Sequence, residues 1–460
     1  MRTTAPWLRR AGLACTLLSL APSIALADCD SRFSGAVEAS RQQFEPAPLN
    51  YQGRQFVSKG ALNTALSLDQ GCAFGDGIKT RLKAMVAGSA SSRHVGTEQD
   101  ASRGWTRAYL NEAYLTVAAP GEVLVDLGKM DIANGYLLFL SPMDLLRGPI
   151  DPPPYGVINA AAPSWRTSYR EGSVGIGATK FLDGGSIQLA AFPSLAGDPG
   201  DAPVSQWSSL QRSNHSAAVY AAYSANLWES FNPKLVALST SGRHTWGGGI
   251  SDVLAEGVVF TVEFARSSRS QVHRLSKPAA DTLFTGGFPQ AVNVLERTPV
   301  GSRQLAAGLR VNGPQRTTLI GEFYYQSDGY TKADWDRYFQ FSSFALDAYG
   351  ASGFPPFLDY QRLLLSAADS DSRRNVLLGK RYLTLGVERA VEGDERLGWH
   401  ASVLGNADDG SSLLNLHLTY LVAAGTELYL GGRTMFGGQR SEFGRFGQSP
   451  LVYLGLKFSL

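Results

Sequence analysis

The sequence predicts an all-β chain that closes into a transmembrane antiparallel β-barrel of about 18 strands, with 16 as the alternative count. Three observations carry that expectation. In Pro450–Leu460, Val452, Leu454, Leu456, Phe458 and Leu460 share one face, while Tyr453, Gly455, Lys457 and Ser459 share the other; this is the period-two pattern of a strand with an apolar and a wet side. Similar segments recur at close to the roughly 9 to 11 residues a tilted membrane strand needs, against about 5 to 6 in soluble sheets. After the first 27 residues there is no apolar run long enough for a helical span. Because lipid offers no partner to an open sheet edge, strands of this kind must close on themselves.

Residues 1–27 read as an export signal: Arg2, Arg9 and Arg10, the apolar stretch Ala11–Ala21, then Ala25, Leu26 and Ala27 before a cleavage point. Residues 28–50 are a periplasmic N-terminal segment or the first strand, and residues 51–460 are the barrel. The signal carries three arginines and no acids, so residues 28–460 have 39 Lys plus Arg against 40 Asp plus Glu. No basic surplus remains to suggest a nucleic-acid partner. Fifty glycines and an aromatic share of 10% suit barrel turns and interfacial girdles.

Alternating segments recur at 51–69, 78–87, 105–118, 122–131, 170–180, 185–193, 216–227, 233–242, 244–254, 256–266, 303–312, 316–325, 378–389, 396–405, 411–422, 425–434 and 450–460. A further strand between Phe33 and Gln43 makes the number even, as bacterial barrels prefer, whereas merging the 233–254 region gives sixteen. Counting back from the final strand puts the short connections, such as 118–122, 255–257 and 422–426, on the periplasmic side. The long ones, 88–104, 132–169, 194–215, 267–302, 326–377 and 435–449, then lie outside. That asymmetry favours eighteen.

Parity along the strands turns Lys79, Arg81, Lys83, Arg310 and Lys457 toward the lumen, together with Glu112, Asp126, Glu263, Glu322 and Glu388. The cations of 79–83 form a ladder that would attract anions, unless the carboxylates pair with them. The prolines at 142, 149, 152, 153, 154 and 163 stiffen loop 132–169, either as a constriction folded inward or as a rigid outer cap. Loop 267–302 is basic and brings Arg269 and Arg274. Loop 326–377 packs aromatics including Trp335, Tyr338 and Phe339, which could stack on sugar rings or form a small core of their own. Cys29 and Cys72 are the only cysteines beyond the signal and are candidates for a disulfide in an oxidising compartment. The histidines have no metal-ligand spacing, and His400, Ser402 and His417 do not make a convincing hydrolytic set, so no metal, no cofactor and no enzyme activity are expected.

The stretch Leu110–Pro149 contains Glu112-Ala113-Tyr114, Gly128-Lys129 and Pro142-Met143-Asp144-Leu145. It resembles a hairpin of large porin-like outer-membrane barrels, including the alginate-export and capsule-assembly families. Ala133-Asn134-Gly135 stands where those families often have a Trp-Gly pair. The resemblance implies the barrel architecture more than a substrate; the function expected is an outer-membrane channel for a hydrophilic solute, extending to export of a polysaccharide or other secreted product with periplasmic export machinery. The alternative is a non-conducting surface barrel that holds an extracellular glycan. In either case the neighbours are outer-membrane lipid and lipopolysaccharide.

Overall fold

The computed structural model describes residues 28–44, 47, 60–95, 102–146, 171–198, 207–227, 231–270, 272–285, 295–297, 301–354, 376–391 and 395–460, with single positions between 357 and 367. Residues 1–27, which the sequence suggests are an export signal, and the prolines from 149 to 163 lie outside these residues.

Eighteen strands form one antiparallel sheet closed on itself. The first four are long: β1 (Asp28–Phe44), β2 (Gly60–Phe74), β3 (Ile78–Val95) and β4 (Ser102–Ala119). A lower wall is built by β5 (Val123–Met130), β6 (Ser173–Leu182), β7 (Gly185–Phe192), β8 (Ala218–Ala225) and β9 (Lys234–Thr240). Next come β10 (Arg243–Ala255) and β11 (Val258–Ser267). A two-stranded ribbon, β12 (His273–Leu275) with β13 (Leu295–Arg297), stands apart from the barrel. The wall resumes with β14 (Ser302–Asn312), β15 (Thr317–Gln326), β16 (Arg381–Arg389), β17 (Leu397–Asn406), β18 (Ser412–Ala423), β19 (Thr426–Phe436) and β20 (Gln448–Ser459). Each strand pairs with its neighbours, and β20 returns to β1. At that seam the Leu460 N–H donates to Phe33 O at 2.8 Å and the Phe33 N–H donates to Leu460 O at 3.1 Å.

The count is therefore eighteen and not sixteen. Residues 233–254 hold two strands because Ser241 and Gly242 make a tight turn, in which Gly242 takes a left-handed φ of 79°. The first strand runs over Asp28–Phe44, and the second sits at Gly60–Phe74 where alternation suggested 51–69.

The period-two pattern sorts the wall into two faces. Val452, Leu454 and Leu456 keep 45 to 50% of their surface open on the outside, the area a bilayer covers. Tyr453 and Lys457 between them turn inward, where Tyr453 meets His417 and Lys457 meets Glu427. Short turns such as Gly75–Gly77, Pro120–Glu122 and Gly257 lie at one end, and the long loops at the other.

Cys29 lies directly opposite Cys72 on β1 and β2, and the two are joined by a disulfide. Closing a loop of 43 residues removes chain entropy worth about 4 kcal/mol from the unfolded state in the loop-closure model. Thiol labelling of the folded, unreduced protein is expected to find no free cysteine beyond the signal. Stoichiometric labelling of both would contradict the link.

Candidate functional site

After β5 the described part of the loop follows the inward of the two expected courses. It turns inward over Asp131–Leu146 and lies along the opposite wall. Two lumen-facing carboxylates hold it there. Glu263 on β11 accepts the N–H groups of Tyr136, Leu137 and Met143, the last two at 3.0 and 3.3 Å, and the Ser141 hydroxyl. Glu322 on β15 accepts the successive N–H groups of Leu138, Phe139 and Leu140 at 2.7, 3.0 and 3.2 Å. The loop thereby satisfies backbone donors that would otherwise be lost to water. Phe139 and Leu140 pack with Leu404 and Leu413, and Met143 with Tyr220 and Val236. At its lowest point the Tyr136 hydroxyl donates to Asn232 O at 2.9 Å, and Lys234 holds Asn134 at 3.2 Å.

Glycines on the wall make room for this approach. A Cβ at Gly249 would lie 2.5 Å from Met143 Sδ, one at Gly308 2.5 Å from Leu137 Cδ2, and one at Gly386 2.9 Å from Phe139 Cζ. Gly249 is the cross-strand partner of Glu263, and Gly308 of Glu322. Seat and clamp thus alternate across β10, β11, β14, β15 and β16.

The ladder lies on β3, at a distance around the wall from this seat. Arg81 pairs with Asp69 at 2.8 Å and Lys83 with Glu112 at 3.8 Å; Lys79 is exposed and has no carboxylate partner among the described residues. These pairs are part-open to solvent and hold their ions only weakly. Asp126 accepts the Thr116 hydroxyl, Lys457 pairs with Glu427 at 3.6 Å, and Arg310 lies within electrostatic reach of Glu388. Of the ten lumen charges expected from parity, Glu263 and Glu322 are thus committed to the loop instead of to the cations. His400 and His417 stack at 5.4 Å, and His417 turns its ring nitrogens to Tyr453 and Thr419. That is wall packing in place of a hydrolytic arrangement. Among the described residues no three metal-type ligands gather.

The outer loops give a different result from a sugar-binding platform. Helix α1 (Ser209–Asn214), in the β7–β8 loop, is set by the Ser208–Gln211 capping box; its Asn214 bonds both N–H and C=O of Val174 and so completes the free edge of β6. Helix α2 (Lys277–Phe284) lies between β12 and β13. Helix α3 (Lys332–Ser352) starts at a Thr331–Asp334 capping box and stops at Gly353 in the left-handed region. Its residues 335, 338, 339, 342 and 345 are buried on one stripe. Trp335, Tyr338 and Phe339 therefore form a core with Val272 and Leu275 of the neighbouring loop, and do not present rings for stacking. Burial wins because an aromatic side chain gains more from leaving water than an exposed one gains from a transient partner. Arg274 is likewise internal support: it bonds Asp334 at 3.2 Å and the carbonyls of Asp328 and Gly329. Arg269 remains exposed, against Gly242.

Loop 437–447 ties this lid to the wall. Arg445 lies over the rings of Trp335 and Tyr338 at 5.8 and 5.7 Å. Glu442 accepts Leu378 N–H, the Tyr382 hydroxyl and Asn406 Nδ2. Burial pushes its carboxyl above the usual range against the downward pull of those bonds. At Asp408 the balance is reversed: burial raises it, but the Arg381 guanidinium and two backbone N–H groups leave it below its ordinary value.

A closed eighteen-strand sheet, apolar outside, charged within and narrowed by an inward loop, is a bacterial outer-membrane β-barrel of porin architecture. Among solved structures the chain is similar to Pseudomonas aeruginosa OpdK with vanillate, at 10% identity, covering 94% of this chain and 98% of that one, with a TM-score of 0.53. It is also similar to Acinetobacter baumannii OccAB1, at 11% identity, 94% and 96% coverage and a TM-score of 0.51. Identity this low establishes a shared fold. No family model matches the chain, and no curated protein is similar to it.

Proposed function

We propose that this barrel is an outer-membrane channel for small hydrophilic solutes and that it favours anions. The observation that carries the proposal is the inward loop bonded to one side of the lumen while the β3 cations stay on another. Such a layout gives a narrowed path beside a wall on which Lys79 keeps its full charge and the solvent-open pairs of Arg81 with Asp69 and Lys83 with Glu112 hold theirs only weakly, and this surplus raises the local concentration of anions. The vanillate in the OpdK structure, an aromatic carboxylate bound to a barrel of the same fold, points to small organic anions as the solutes to test first. Export of a polysaccharide requires a bore kept clear, which the loop opposes. A glycan-holding surface requires open aromatic rings, and Trp335, Tyr338, Phe339 and Phe341 of α3 are buried.

Replacing Lys79, Arg81 and Lys83 together by glutamine is expected to lower the anion-to-cation permeability ratio of the purified barrel in planar bilayers. The drop should be about threefold or more, within the range over which a charged cleft concentrates ions. An unchanged ratio at unchanged conductance would mean that the ladder does not line the path.

A further inference from the structure

We propose that the inward loop is an electrostatic cap: by seating on the β10–β16 wall it withdraws the charges of Glu263 and Glu322 from the permeation path. This rests on the channel reading above and adds a source for its selectivity. The two carboxylates point into the lumen by strand parity, where in water they would attract cations. Instead Glu263 is 0% and Glu322 4% exposed. Together they accept seven bonds from the loop, six of them from backbone N–H groups that can only donate. A protonated acid would have to donate one bond itself; Glu322 meets only backbone N–H donors and so accepts as a carboxylate, while at Glu263 the Ser141 hydroxyl is the one loop group able to accept such a bond. Converging N–H dipoles form a cradle for each anion.

The seat exists because wall and loop backbones come close. At Gly308 and Gly249 any side chain would strike Leu137 or Met143, and lifting the loop would take its amides out of reach of the carboxylates. Glu263 is further enclosed by Tyr136 and by Lys234, whose ammonium lies over the Tyr136 ring at 5.3 Å. Compared with the same lumen lacking the loop, two carboxylates are closed to direct contact with permeating ions and their field is offset by the loop's N–H dipoles. The loop is a charge filter as well as a steric one.

The test uses the full barrel in planar bilayers, with reversal potentials read across a KCl gradient and heat-modifiable migration as the check on folding. Three changes are compared: residues 135–143 replaced by a short Gly-Ser linker, the pair Glu263→Gln and Glu322→Gln, and both together. The linker alone is expected to move the permeability ratio toward cations by about threefold or more. The glutamine pair with the loop sequence unaltered removes the carboxylates together with the clamp, so the ratio should not move toward cations as it does with the linker, and adding the pair to the linker variant should restore anion preference. Selectivity that does not respond to the linker, or that responds equally to the glutamines with the loop in place, overturns the cap and leaves the channel standing. Absence of conduction in every variant, the unaltered barrel included, overturns both.

Discussion

A leucine at Gly308 or Gly249 is expected to lower single-channel conductance sharply while the barrel still folds. The wall side cannot retreat: Val262 O lies 2.9 Å from a Cβ at Gly249, and the Cγ of Glu322, whose carboxylate is held by the loop, lies 3.2 Å from one at Gly308. The Leu137 or Met143 side chain must therefore give way toward the pore axis. Overpacking of this kind costs about 1 to 3 kcal/mol. Against it stand the loop's hydrogen bonds to Glu263 and Glu322, each worth roughly 1.5 to 3 kcal/mol when the acceptor is charged. The clamp wins, so the loop backbone stays bound and the displaced side chain turns into the bore. Gly386→Leu should have a smaller effect, because a Cβ there stays 2.9 Å from its nearest neighbour, the Phe139 ring, against 2.5 Å to Leu137 and Met143 at the other two. Unchanged or increased conductance in both Gly308→Leu and Gly249→Leu, with heat-modifiable migration intact, would show that the loop does not set the bore.

Much of this architecture is written in the sequence, but unevenly. Strands such as β18 and β20 are legible because leucines and polar residues alternate without a break, and membrane strands carry that contrast on every residue. In β1 the contrast fades: outward Val37 is flanked by Gly35 and Ala39, so little but its pairing to β2 and β20 marks it. Parity also places Glu263 and Glu322 correctly in the lumen, yet not their role. Their partners are backbone N–H groups more than a hundred residues away, and a backbone N–H leaves no trace in a sequence. Gly249, Gly308 and Gly386 are equally silent among fifty glycines. The aromatic loop is a different case. Its density is plain, and the signal for burial is present too: Thr331 and Asp334 have capping-box spacing, and Trp335, Tyr338 and Phe339 come after them at helical intervals. Aromatics on one stripe of a capped helix belong to a core before they belong to a ligand.

That core leads to the second large effect. Replacing residues 331–376 by a short Gly-Ser linker is expected to raise conductance while leaving heat-modifiable migration unchanged. The membrane strands on either side, β15 and β16, pair with each other through Thr317–Tyr325 and Arg381–Arg389 without help from the loop, and such tips tolerate removal when no wall hydrogen bonds cross them. What the deletion removes is a folded lid, tied across the outer end by Arg274 to Asp334 and by Arg445 over Trp335. A milder variant separates lid from wall. Phe341 is fully buried in the lid, and Phe341→Ala should loosen it by about 3 to 5 kcal/mol, more than a small loop core can lose. Frequent brief openings in single-channel records, with the mean bore unchanged, are then expected. If deletion leaves conductance at zero and instead abolishes retention of an extracellular glycan on cells, the barrel is a binder and the proposed channel is wrong. If conductance is present but indifferent to both variants, the lid sits beside the path, and the inward loop alone governs passage.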